Sequence, residues 1–165
     1  MGSYGFGKTE VCNWIHNYFK KDSTILDVGA CDGIWRDLLP DYPNMDAVEI
    51  FAPHLPRLKN KYRNAYCCDI VDFHYRHYDL VIFGDVIEHM DVIKAQRVLN
   101  YAKDHCTDMI IAVPFLYPQG ELYGNQWERH IQDDLTPEVF EDRYGTYDLL
   151  YKIAGYAYYH KRRFK

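Results

Sequence analysis

No run of about eighteen apolar residues occurs in this 165-residue chain, so no segment of it is read as a membrane span. The first residues lack a basic stretch followed by an apolar one, and no secretory signal is expected. Position 6 is Phe rather than Ser or Thr, so Gly2 does not open a myristoylation pattern. An excess of positive charge is also missing. The net charge of −5 argues against a duplex nucleic-acid partner. The single basic patch, His160-Lys161-Arg162-Arg163-Phe164-Lys165, reads as a solubilising chain end. Five cysteines, an odd number at irregular spacing, form neither a disulfide framework nor a zinc pattern. A cytoplasmic protein with reduced thiols is expected. Internal repeats, linkers and low-complexity stretches are absent, so residues 1–165 are read as one domain.

What is present is a globular composition, 48% hydrophobic and 26% charged, with 16 Tyr that suit pockets and wet interfaces. Val11, Trp14, Ile15, Tyr18 and Phe19 recur at helical spacing and predict an amphipathic helix over 8–20. Short apolar runs at 24–28, 45–50, 64–68, 78–84 and 109–114 read as strands. Helices are predicted between them: one opened by Asp32 and Gly33 and ended by Pro40, one over 53–62, and one capped by Asp91. Thr136-Pro137 starts a further helix that Gly145 stops, and 147–153 with 156–163 form a closing antiparallel hairpin. The alternation predicts an α/β, doubly wound, mainly parallel sheet.

The sharpest signal is Thr24-Ile25-Leu26-Asp27-Val28-Gly29-Ala30-Cys31-Asp32-Gly33, followed by Ala47-Val48-Glu49-Ile50. A buried strand runs into a small-residue turn, and an acid sits at the tip of the next strand, 20 residues after Gly29. Small residues let backbone approach a nucleoside, and the acid accepts hydrogen bonds from ribose hydroxyls. A nicotinamide fingerprint would place Gly at 29, 31 and 34, but Cys31 and Ile34 stand at two of those positions.

These residues resemble the first motif of the class I S-adenosylmethionine (SAM) methyltransferases, with Cys31 where that family has its middle glycine. Phe83-Gly84-Asp85-Val86-Ile87-Glu88-His89-Met90 resembles the segment that follows the family's fourth strand. The resemblance implies a seven-stranded Rossmann-like sheet of order 3-2-1-4-5-7-6 with strand 7 antiparallel, and SAM as methyl donor, with S-adenosylhomocysteine (SAH) as product. It also implies a cofactor-binding set of Asp27, Gly29, Ala30, Gly33, Glu49, Ile50, Asp69, Ile70, Gly84 and Asp85. Glu88 and His89 are read as anchors of their loop, and no metal is expected.

Acceptor-side candidates come from the aromatic segment 115–134, which lies beyond the fifth strand and is read as a lid. Tyr117, Tyr123 and Trp127 are candidate walls, and His130 is the candidate catalytic base for a hydroxyl or amine. Tyr4 and Phe6 are expected to form a flap over the pocket from the N-terminal segment 1–20. The expected acceptor is small or extended, such as a sugar or a nucleotide-linked sugar. Two alternatives stand beside methyl transfer. One is a non-catalytic SAM-binding module. The other is a P-loop: Gly2-Ser3-Tyr4-Gly5-Phe6-Gly7-Lys8-Thr9 satisfies that pattern, but no strand is expected ahead of it. Cys67, Cys68, Asp69, His74 and His77 also cluster, yet neighbours on a strand point to opposite faces and chelate poorly together.

Overall fold

A computed structural model describes residues 7–162. In chain order the main elements are α1 (Lys8–Tyr18), β1 (Ile25–Val28), α2 (Ile34–Leu38), β2 (Met45–Glu49), α3 (Leu55–Lys61), β3 (Asn64–Cys67) and β4 (Tyr78–Gly84). They continue with α4 (Val92–Asp104), β5 (Cys106–Pro114), α5 (Pro137–Tyr144), β6 (Asp148–Ile153) and β7 (Tyr156–Arg162). The strands form one sheet of order β3-β2-β1-β4-β5-β7-β6. β1 to β5 run parallel, and β7 lies antiparallel between β5 and β6. This is the expected doubly wound order.

Side-chain alternation splits the core into two layers. Leu26, Val28, Val81, Phe83, Met109 and Ile111 face α4 and α5. Ile25, Ala47, Leu80, Ile82 and Ile110 face α1, α2 and α3. The central strands are buried on both sides, so β4 and β5 read as near-continuous apolar runs. Each fully buried Leu, Ile or Phe contributes about 1.5–3 kcal/mol relative to exposure. Helix ends follow local chemistry. Asp91 accepts from Lys94 N–H at 2.8 Å at the start of α4, and Thr136 accepts from Val139 N–H at 3.2 Å at the start of α5.

The buried face of α1 differs from expectation. Lys8, Val11, Cys12 and Ile15 face the core, while Tyr18 is 70% exposed and stacks on Trp14. Helical spacing places Lys8 on the Val11–Ile15 stripe, and that periodicity already contained the answer. Among the described residues no helix is long and apolar enough to cross a membrane.

Candidate functional site

A cavity of about 410 Å³ opens where β1 and β2 end. Gly29, Val48, Ile50, Asp69 and Ile70 form one side, and Met90, Lys94, Trp127, Arg129 and Ile131 face them. This is the crevice beyond the carboxyl ends of the strands, where open α/β sheets bind ligands.

The loop after β1 is set by backbone demands. Gly29 has φ 68° and Gly33 has φ 79°, and a Cβ on Gly29 would sit 2.6 Å from Val86 Cγ2. Cys31 adopts φ 48°, so a side chain occupies a left-handed position that glycine tolerates better. Glu49 holds this conformation. Its Oε2 accepts from Cys31 N–H and its Oε1 from Phe51 N–H, both at 2.8 Å. The carboxylate is 6% exposed and each oxygen keeps a second lone pair. Ala30 is buried, and its N–H donates to Val48 O.

Behind the loop lies a group of buried polar atoms. Asp27 is buried in β1, where its Oδ2 accepts from Tyr62 Oη and its Oδ1 has no partner. Burial pushes its carboxyl up to about 7, against the opposing pull of the Tyr62 hydrogen bond and the Lys8 ammonium. Lys8 Nζ is buried 4.7 Å from the Trp35 ring centre and 3.9 Å from Asp85, without a hydrogen bond. Burial lowers its pKa. Trp35 Nε1 is unpartnered too, and a Cβ on Gly84 would lie 2.5 Å from it. Asp85 adopts φ 58° at the tip of β4 and accepts from Tyr156 Oη on β7. Left-handed backbone at a non-glycine residue is sparsely populated and is held here by the surrounding structure.

Asp69 serves as a turn cap. It caps the short turn Ile70–Asp72 through Val71 N–H and pairs with Lys94 at 2.7 Å, while still bordering the cavity beside buried Ile70. On the far wall Trp127 lines the cavity, held in the turn that Asn125 caps. Tyr123 is 83% exposed and is not among the residues that line this cavity. Tyr117 stands behind His130, with ring centres 5.7 Å apart. His130 is held by a backbone carbonyl. Its Nδ1 donates to Tyr117 O at 2.6 Å, and its ring meets His89 edge-on at 4.7 Å. Segment 115–134 is tied down by main-chain bonds: Glu88 O accepts from Ile131 and Gln132, and Leu116 N–H donates to Leu135 O. Glu88 does anchor this segment, but through its carbonyl. Its side-chain carboxylate is fully buried and unpartnered, and burial together with Asp85 raises its pKa well above the ordinary value. Tyr4 and Phe6 lie outside the described residues.

No protein-family model matches the chain, and no curated protein matches it. Solved structures do. The N-terminal domain of EvdMO1, crystallised in the presence of SAH and D-fucose, superposes with a TM-score of 0.70 at 13% identity, over 98% of this chain and 85% of that one. A SAM-dependent methyltransferase from Clostridium acetobutylicum gives 0.69 at 15% identity, over 95% and 90%. The sugar N-methyltransferase KedS8 from Streptoalloteichus gives 0.55 at 19%, over 67% of this chain and 49% of that one. The fold is that of the class I SAM-dependent methyltransferases.

Within this methyltransferase fold Gly29 after β1, Ile50 after β2 and Val86 after β4 line one crevice, while Asp27, Glu49, Gly84 and Asp85 are not among its lining residues. Gly7-Lys8-Thr9 does not behave as a P-loop. Among the described residues no strand precedes it, and Lys8 turns inward beneath Trp35 instead of standing at a phosphate cradle. The remainder of that pattern lies outside the described residues. Sequence reasoning missed Lys8, Trp35 and Tyr156 as site neighbours. Only Lys8 left a signal, its register on the apolar stripe of α1.

Proposed function

We propose that the chain binds SAM in this crevice and transfers its methyl group to a small acceptor, a sugar or nucleotide-linked sugar. The supporting observation is a set of complementary buried orphans on β1, α1 and α2. Asp27 Oδ1 is a buried acceptor without a donor, and Lys8 Nζ and Trp35 Nε1 are buried donors without an acceptor. An ammonium facing the first and a carboxylate facing the other two would satisfy all three, and the amino-acid end of SAM carries both groups. Buried unsatisfied polar groups cost about 1–3 kcal/mol each, so such a ligand gains what the empty fold forgoes.

The nucleoside end then lies along Gly29, Glu49, Ile50, Asp69 and Ile70. Glu49 accepts from the ribose hydroxyls with its remaining lone pairs, Ala30 and Gly33 keep the loop backbone close, and Ile70 packs on the base. Bound SAM supplies an electrophilic methyl on a sulfonium, a leaving group that needs little acid help. The protein's task is alignment of acceptor, methyl and sulfur. Gly84 and Asp85 border the reacting centre, Trp127 and Tyr117 shape the acceptor side, and Trp127 offers a sugar a flat apolar face. His130 is the candidate base, because its Nδ1–H is fixed on Tyr117 O and its Nε2 is left to accept a proton. Burial lowers its pKa, which keeps that nitrogen neutral.

Calorimetry with SAH, followed by labelled-methyl transfer to a panel of sugars and nucleotide sugars, tests the reading. SAH binding with turnover of a sugar is the expected result. SAH binding without turnover on any acceptor class would favour a non-catalytic binding module, and no SAH binding would overturn the proposal.

A further inference from the structure

Among the described residues Glu88 is the least satisfied group. Its carboxylate is fully buried, neither oxygen has a hydrogen-bond partner, and it sits on the turn Ile87–His89 that closes β4 against the 115–134 segment. Two imidazoles stand beside it. One donor atom from each of Glu88, His89 and His130 lies within 4.8 Å of the other two. Both rings are oriented by main-chain carbonyls: His89 Nδ1 meets Arg129 O at 3.1 Å, and His130 Nδ1 meets Tyr117 O at 2.6 Å. A carbonyl only accepts, so each Nδ1 carries the proton and each Nε2 carries the lone pair. A histidine whose second nitrogen donates to a carbonyl is the arrangement that metal-ligating imidazoles use.

We propose that Glu88, His89 and His130 bind a first-row divalent metal ion, of the Mn²⁺ or Zn²⁺ type, at the edge of the cavity. Two imidazoles and one carboxylate select such an ion over Mg²⁺ or Ca²⁺, which prefer all-oxygen shells. Three protein ligands leave coordination positions open for an acceptor, and His89 itself lines the cavity. The site departs from the metal-free expectation drawn from sequence. Adjacent residues 88 and 89 with a distant third ligand match no recognised spacing. In its second part the proposal rests on the methyl-transfer reading: an acceptor hydroxyl on the ion becomes more acidic and releases its proton to solvent. Its oxygen then forms the bond to the methyl carbon as the carbon–sulfur bond breaks, and the electron pair of that bond stays on sulfur as SAH. His130 then acts as a ligand in place of a base.

The test uses the full chain stripped with chelator and titrated with Mn²⁺, Zn²⁺ or Co²⁺ in separate calorimetric runs, with the Co²⁺ visible spectrum as a second readout. One ion per chain is expected, together with a rise in melting temperature on metal addition. Glu88→Gln keeps the side-chain shape and replaces a buried carboxyl that has no hydrogen-bond partner, so it folds. It and His130→Ala should each weaken binding at least about tenfold and shift the Co²⁺ spectrum. No stoichiometric ion in the wild-type protein overturns the proposal. So does an ion whose affinity both variants leave unchanged, which would place it elsewhere, for instance at Cys31, Asp32 and His54. SAH titrations run alongside separate the two readings: metal without SAH binding sinks the methyl-transfer function alone, and SAH binding without metal sinks this proposal alone.

Discussion

Replacing Glu49 by Ala probes the cofactor assignment most directly, because one carboxylate is assigned two tasks. It holds the Cys31 and Phe51 N–H groups at 2.8 Å each, and it is assigned the two ribose hydroxyls. A hydrogen bond to a charged group contributes about 1.5–3 kcal/mol. The ribose contacts together are then worth about 3–6 kcal/mol, and SAH affinity should fall at least about a hundredfold. The loop loses its partners as well, at about 1–3 kcal/mol for each N–H left unmet, less where water enters. Loss of affinity alone therefore does not separate the tasks. A cycle does: wild-type protein and Glu49→Ala, each titrated calorimetrically with SAH and with its 2′,3′-dideoxy analogue. The wild-type protein should discriminate strongly between the ligands and the variant hardly at all. If the substitution weakens both ligands by the same factor, the carboxylate serves only the loop and the ribose assignment is refuted.

Burial raises the Asp27 carboxyl from 3.8 to about 7, with Tyr62 and Lys8 opposing and Glu49 reinforcing. Between those values the folded chain holds a proton that the unfolded chain has lost, so stability of the ligand-free protein should fall as pH rises through that window and level off above about 7. An ammonium ligand favours the ionised form, so SAH affinity should climb over the upper part of the same window. Asp27→Asn should flatten that profile, and calorimetry in buffers of different ionisation heat should detect the released proton. Lys8→Met should weaken SAH about tenfold or more while leaving 5′-methylthioadenosine, which lacks the amino-acid end, unaffected. Equal losses would refute the carboxylate role. Gly29→Ala sets a Cβ 2.6 Å from Val86 Cγ2 at φ 68°. A destabilisation of about 1–3 kcal/mol, read as a lowered melting temperature, is expected, and an unchanged melting temperature would show that the loop relaxes freely.

The sheet was legible because its strands carry their own proof. Tyr78–Gly84 is apolar on both faces, as only a central parallel strand is, and turn and cap chemistry at Asp91, Thr136 and Gly145 marked the intervening helices. The loop from Asp27 to Gly33 and the acid Glu49 were legible for the same reason, since backbone geometry there restricts residue type. Contacts made across the sheet were not. Tyr156 reaches Asp85 only because β7 inserts beside β5, and the Glu88–His89–His130 cluster exists only because segment 115–134 folds back over β4. The face of α1 was misjudged because Trp14, Tyr18 and Phe19 outweighed a lysine in any hydrophobic count, although the lysine is the residue that goes in.

The insertion of β7 between β5 and β6 also orders events at the ribosome. β5 is complete at Pro114, but its neighbour arrives only with Tyr156–Arg162, the last strand described. Throughout that interval the nascent chain presents an open hydrogen-bonding edge on a largely apolar strand, the sort of edge that recruits other chains. Trimming this protein from its C-terminal side should therefore yield inclusion bodies before it yields a soluble but less stable chain.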